Sequence, residues 1–227
     1  MSEPQVESDR DRAAQREVTK IALAALKGFA LAGSGAVREH GILDRPTEDV
    51  DLFTDSLDVQ RFDVDTGQVI DRLRASGCTV EAVRSAPRFA RLAVTTAEGR
   101  RLEVDLGVDW RHDEPVLLDV GPVLSLADAV GNKVSALYSR AEARDYLDID
   151  AIRRSGRFSD TELVEAAAER DAGFDLEMFA GQLAAAARLQ PAQVARYGVT
   201  PDQLEGVVAR CTAWAVQLRR ASVERDR

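Results

Sequence analysis

Cysteine, lysine, histidine and long apolar runs are all scarce in this chain, and each scarcity removes a class of protein. The two cysteines, Cys78 and Cys211, stand far apart with no His or Cys at metal-ligand spacing around them. That excludes a disulfide scaffold and leaves a zinc module or redox pair without support, so both are expected to be buried thiols. The longest apolar stretches, such as 21–26 and 29–32, fall well short of the roughly 18 residues that a membrane span requires. The start, MSEPQVESDRDRAAQRE, has neither the basic opening nor the apolar run of a secretory signal. A cytoplasmic protein without a membrane partner is expected.

Basic charge is in deficit as well: 30 Lys+Arg stand against 39 Asp+Glu, a formal net charge of −9. Residues 151–227 are balanced, so the whole excess falls in the first 150 residues. A field of that sign opposes nonspecific binding to polyanions, although it is compatible with a local basic cleft. Only three basic residues are lysines, Lys20, Lys27 and Lys133. Abundant Ala and Arg fit a GC-rich genome, so a lysine inside a helix is more informative than an arginine.

What remains is ordinary globular material, 227 residues with 45% apolar and 30% charged side chains. A chain of this length forms one large domain or two small ones and can bury about 70% of its unfolded surface without staples. After a start expected to be disordered over 1–16, REVTKIALAALKG has helical spacing and stops at Gly28. FALAGSGAVREHG then reads as strand, tight turn and helix. DVDLFT alternates acidic and apolar residues, the period of a strand, and VDTGQVIDRLRASG is helical. CTVEAVR, RFARLAVTT and RLEVDLGV follow as strands, the last two joined by a turn at 97–99. From Leu126 onward the strand signals vanish and five segments carry helical spacing, most of them opening near Asp, Ser, Thr or Pro. The class is therefore α+β, with a core over 17–121 and an all-helical subdomain over 122–227, the boundary marked by Gly121-Pro122.

Three carboxylates carry the first chemical signal. Asp49 and Asp51 lie two apart on a strand and so share a face, and Asp105 lies on another strand. Together they could cage Mg²⁺ or Mn²⁺, hard ions that favour carboxylate and phosphate oxygens. An Asp-x-Asp pair can equally be the solvent face of a strand. Gly33-Ser34 opens a helix after a strand, where backbone N–H groups and a hydroxyl can cradle phosphates, or it is simply a turn.

The joint pattern is more specific than its parts: G-S-G at 33–35, R-P-T-E-D-V-D-L-F at 45–53 and E-V-D-L at 103–106. It resembles the nucleotidyltransferase fold of the polymerase-β superfamily, which implies a mixed sheet with flanking helices. Within it, GNKVSALYSRAEARDYLDI, with Lys133, Arg144, Asp145 and Asp148, resembles the Lys…Arg-Asp-x-x-Asp segment of the AbiEii toxin family, which includes the MenT toxins. The resemblance covers roughly residues 29–150. It implies that Gly33 and Ser34 contact nucleotide phosphates, that Thr47 and Asp49 belong to the catalytic strand region, and that Lys133 and Asp148 complete the site. Lys133 would hold triphosphate, or is a helix lysine whose ammonium reaches solvent. Asp148 would orient Lys133 or Arg144, or is one carboxylate of a solvated helix face. Arg45 either reaches the phosphates or pairs with a neighbouring carboxylate.

Other positions offer weaker candidates. His112 reads as a surface histidine. Arg84, Arg88 and Arg91 form either a basic wall for a nucleic-acid acceptor or solvated strand positions, and Trp110, Trp214 and Tyr138 read as packing residues. The function implied by the resemblance is a metal-dependent transfer of a nucleoside monophosphate from an NTP to a hydroxyl. The resemblance further implies that the 3′ end of tRNA is the acceptor and that the chain is the toxin of a pair with a cognate antitoxin. The alternatives are transfer to a protein or small-molecule (antibiotic) hydroxyl, and a non-catalytic binding module of the same fold.

Overall fold

The start of the chain is helical where its polar, mixed charge predicted disorder. In this computed structural model, which describes residues 3–47 and 49–225, α1 runs Glu3–Leu23. Residues 1 and 2 of the stretch expected to be unstructured lie outside the described residues. The face formed by Gln15, Val18, Thr19, Ala22 and Leu23 is buried, at the i, i+3, i+4, i+7, i+8 spacing of an amphipathic helix. Packing of α1 against the strand Phe29–Leu31 and the helix Val59–Ala75 outweighs the polar composition of the exposed turns.

The chain divides into two compact units, one comprising residues up to 39 together with 46–126, the other 40–45 together with 127 onward. The first unit is α+β. Its elements after α1 are β1 (Phe29–Leu31), α2 (Gly33–Glu39), β2 (Asp49–Thr54), α3 (Val59–Ala75), β3 (Thr79–Ala86), β4 (Phe89–Thr95), β5 (Arg101–Val108), β6 (Val116–Leu118) and β7 (Gly121–Val123). Among the described residues they form a seven-stranded mixed sheet in the order β3-β4-β5-β2-β1-β7-β6. The central pair, β2 and β5, is parallel, and both neighbours of that pair are antiparallel to it. Leu52, Leu92, Val104 and Leu106 fill the core beneath the sheet. Asp58 caps α3 by accepting from the Arg61 backbone N–H, and Phe62, Val69 and Leu73 give that helix its buried face.

The hairpin β6–β7 is absent from the sequence reading, and Gly121-Pro122 lies inside β7 rather than at a domain boundary. Strands of three residues show no alternation, and proline ordinarily marks the end of a ladder. Here Pro122 faces Leu117 of the edge strand β6, while Leu124 N–H donates to Leu31 O at 2.9 Å and carries the bonding to β1 past the proline.

Every secondary-structure element described in the second unit is helical: α4 (Leu126–Ser139), α5 (Ala143–Arg154), α6 (Asp160–Arg170), α7 (Leu176–Ala184), the one-turn α8 (Pro191–Val194) and α9 (Pro201–Arg225), with short 3-10 turns at Ala185–Arg188 and Ala195–Tyr197. Trp214 of α9 meets Phe179 of α7 edge-on, centroids 5.3 Å apart, and Tyr138 packs on Phe174 and Phe179 as expected. Trp110, by contrast, is half exposed beside His112, 6.0 Å between centroids, and is no core residue. Cys211 is buried, whereas Cys78 is only partly so, which corrects the expectation for that thiol.

Candidate functional site

Register places the acidic residues of the first unit. Along the parallel β2–β5 ladder Asp51 stands opposite Asp105, and Asp49 opposite Glu103, so all four side chains share one face. The other face of β2, Val50, Leu52 and Thr54, is buried in the core, which fixes the acidic face outward. Asp105 is only 6% exposed.

Gly33 belongs to the same place. It has φ +57, and a Cβ there would overlap Asp51 Oδ2. Glycine is thus demanded twice, by the left-handed backbone and by the approach of a carboxylate. Ala32 N–H donates to Asp51 O at 2.8 Å, binding the turn to β2 from the other side. Ser34 follows, buried in the first turn of α2.

The sequence offers Arg84, Arg88 and Arg91 either as a basic wall or as solvated strand positions, and the structure assembles no wall from them. Arg84 lies over the Phe89 ring, and Arg88, itself at φ 63, donates to Leu57 O. Arg91 instead pairs with Asp105 through Nε–Oδ1 at 2.8 Å and Nη2–Oδ2 at 2.6 Å, and stands 3.2 Å from Glu103 Oε2. The hydrogen bond to Asp105 raises its pKa further above the ordinary guanidinium value, helped by the charges of Asp105, Glu103 and Asp49 against the opposing effect of burial. The signal was available: the turn centred on Glu98 folds Arg91 onto Asp105, each seven residues from it.

Among the described residues no group of three or more His, Cys, Asp or Glu stands ready to hold a metal ion. The donor set of the acidic face nevertheless suits Mg²⁺ or Mn²⁺ in chemistry, all hard carboxylate oxygens carried on one face of two adjacent strands. Both oxygens of Asp105 are engaged by Arg91.

Thr47 takes a structural position. Its hydroxyl donates to Gln15 Oε1 at 2.9 Å and accepts from Arg38 Nη1 at 3.0 Å, and its carbonyl accepts from Gln15 Nε2 at 2.5 Å. Gln15 and Arg38 carry no motif and were invisible in the sequence.

In the second unit, Asp148 gathers two cations. Arg45 grips it through Nε–Oδ1 at 2.6 Å and Nη2–Oδ2 at 2.7 Å, and Lys133 Nζ lies 2.9 Å from Oδ2. Arg45 therefore pairs with a carboxylate 103 positions away, and its guanidinium lies over the Tyr197 ring at 5.0 Å. Lys133 is buried and paired, not a lysine reaching to solvent. Burial alone would raise the Asp148 carboxyl, but the charge of Lys133 and the hydrogen bond from Arg45 outweigh it and hold the group below the usual carboxylate range.

Arg144 does not pair with Asp148; its Nε lies 3.0 Å from Glu142 Oε2. Asp145 is structural: it accepts from the Glu142 N–H in the capping box of α5 and takes a bidentate grip from Arg140. Gly131 and Asn132, which precede Lys133, serve Arg170 of α6. That side chain donates to Asn132 Oδ1 at 2.9 Å and to Asp128 Oδ1 at 2.6 Å, and a Cβ on Gly131 would overlap the guanidinium.

Comparison with known proteins bears on both units. A family model, the nucleotidyl transferase AbiEii toxin of type IV toxin–antitoxin systems, matches residues 23–206. Its span exceeds the stretch in which motifs are legible. No protein of curated function matches the chain in sequence. Solved structures that share the fold include the following two. JHP933 from Helicobacter pylori has 15% identity over 100% of this chain and 96% of that one, with a TM-score of 0.56. MenT4, a nucleotidyltransferase toxin from Mycobacterium tuberculosis H37Rv, has 17% identity over 92% of this chain and 87% of that one, with a TM-score of 0.54.

Proposed function

Since the chain belongs to the AbiEii nucleotidyl transferase toxin family, we propose that it moves a nucleoside monophosphate from an NTP to an acceptor hydroxyl and releases pyrophosphate. The observation that carries this reading is the face shared by Asp49, Asp51 and Asp105 beside the Gly33 turn. Those three carboxylates would hold Mg²⁺ or Mn²⁺, which when bound neutralises phosphate charge and favours departure of pyrophosphate.

The remaining roles belong to the chain itself. Gly33 keeps the backbone clear of Asp51, and Ser34 contacts the phosphates. Asp105 takes the proton from the acceptor hydroxyl as its oxygen bonds to the α-phosphorus and the bond to the β-phosphate oxygen breaks. Lys133 supplies positive charge to the triphosphate, with Asp148 and Arg45 fixing the ammonium in place. On this reading Arg45 supports Asp148, and Thr47 holds the turn entering β2, rather than either binding nucleotide directly.

The acceptor proposed is the 3′ end of tRNA, and the partner an antitoxin, both on family membership. The net charge of −9 favours a second reading, transfer to a protein or small-molecule hydroxyl, because it provides no bulk attraction for RNA. No helix among the described residues is long and apolar enough to cross a membrane.

The experiment is incubation with each α-³²P-labelled NTP, Mg²⁺ and total tRNA, resolved on a denaturing gel. Label on tRNA from one NTP, lost in Asp49→Ala, supports the full reading. Label retained at the wild-type rate in Asp49→Ala overturns the site. A folded protein that binds NTP yet leaves tRNA unlabelled moves the acceptor to protein or small molecule, and absence of NTP binding favours a non-catalytic module.

A further inference from the structure

One cation is built into the acidic face. Arg91 stands on β4 directly opposite Asp105, and its guanidinium engages both carboxylate oxygens in a fork-to-fork pair. The surroundings give this pair a direction of exchange. The Asp105 side chain is 9% exposed and held in place, whereas Arg91 is 39% and Glu103 50% exposed. Glu103, 3.2 Å from the third guanidinium nitrogen, is thus a partner on the solvent side of the same face, onto which Arg91 can swing without leaving the strand pair.

We propose that Arg91 is a positioning residue that holds Asp105 in aim and competes with the divalent cation for it, surrendering the carboxylate and moving to Glu103 when metal and nucleotide bind together. The inference rests on the reading of Asp49, Asp51 and Asp105 as metal carboxylates. Mg²⁺ demands its carboxylate oxygens at about 2.0–2.1 Å in near-octahedral order. The lone pairs of Asp105 that would meet that demand are directed at Arg91, and a guanidinium so close repels a second cation. Free metal therefore binds weakly. A metal arriving with triphosphate brings negative charge that offsets this repulsion, so occupation of the face is coupled to arrival of the nucleotide. Arg91 also relieves repulsion among four carboxylates, Asp49, Asp51, Glu103 and Asp105, crowded on two adjacent strands.

The test is Mn²⁺ binding to the full chain, followed by electron paramagnetic resonance without nucleotide, in wild type, Arg91→Met, Arg91→Lys and Asp49→Asn. Arg91→Met is expected to bind Mn²⁺ about tenfold more tightly than wild type, a change within the worth of one charge-assisted hydrogen-bonded pair. Arg91→Lys, which keeps the charge and loses the fork, should fall between them. Thermal unfolding adds a readout that a merely structural role would not move: Arg91→Met should melt below wild type in EDTA on either account, but Mn²⁺ should close that gap only if Arg91 competes with the metal for Asp105. If Arg91→Met does not fold, tighter binding by Arg91→Lys is the deciding result. Mn²⁺ binding that is lost in Asp49→Asn but unchanged or weaker in both Arg91 variants overturns the inference alone. No Mn²⁺ binding by any variant overturns the metal reading and this inference with it.

Discussion

Asp51 Oδ2 lies against the Cα of Gly33 so closely that no side chain can be built there. Gly33 also holds φ +57, so Gly33→Ala faces strain and overlap together. Backbone strain alone costs about 1–3 kcal/mol, and relief of the overlap must displace Asp51 from the acidic face. Gly41→Ala is the matched control, with φ +79 but open space around it. Both variants should unfold at lower urea than wild type, and only Gly33→Ala should also lose transfer of label. Full activity in Gly33→Ala would show that the position of Asp51 does not matter to the reaction.

Thr47 sits in a closed set of hydrogen bonds with Gln15 and Arg38. Thr47→Val keeps the shape and removes the hydroxyl, so that the buried Gln15 amide oxygen and the Arg38 guanidinium, still bonded to each other, each lose one hydrogen bond. The expected cost is about 1–3 kcal/mol in urea unfolding, with NTP affinity little changed. Lost NTP affinity at undiminished stability would instead make Thr47 a nucleotide ligand.

The acidic face was legible because its signals are local. Alternation in DVDLFT announces a strand with two aspartates on one face, and the same holds for Asp105 in RLEVDLGV. Lys133 and Asp148 were legible only through a family pattern, since one sits on α4 and the other on α5 and their pairing is tertiary. The pairing of Arg45 with Asp148 was not legible because nothing local points from one to the other, and α1 was not because burial of its Gln15–Leu23 face is decided by the packing it meets. The hairpin β6–β7 fails for a third reason: Pro122 and three-residue strands erase the period on which strand reading depends.

The two thiols should separate in reactivity. Burial pushes the Cys211 thiol up to about 12 and leaves it 1% exposed, so neither thiolate nor access is available. Cys78 begins β3's approach from the Gly77 turn and is partly exposed. A thiol-specific chromogenic disulfide is expected to titrate one cysteine in the native protein and the second only after denaturation. Cys78→Ser should abolish the native reaction; its persistence would mean that α9 opens readily around Cys211.

Asp148 joins stability to pH. Its side chain is fully buried, and its carboxyl is held below the ordinary range by Lys133 and Arg45 in spite of burial. A carboxyl depressed in the folded state contributes stability that is complete above the unfolded value of about 3.9 and drains away as pH falls from there toward the folded value. Wild type should therefore lose stability steeply below about pH 4. Asp148→Asn leaves two buried cations without their charge partner, so it should be less stable at neutral pH by about 3–5 kcal/mol, with a flatter acid limb. Lys133→Met is the informative contrast, because Asp148 keeps both hydrogen bonds from Arg45. It should cost less stability than Asp148→Asn while losing NTP binding, a separation that a purely structural Lys133 would not produce. Parallel acid limbs for wild type and Asp148→Asn would show that other carboxylates, not this one, set the acid stability.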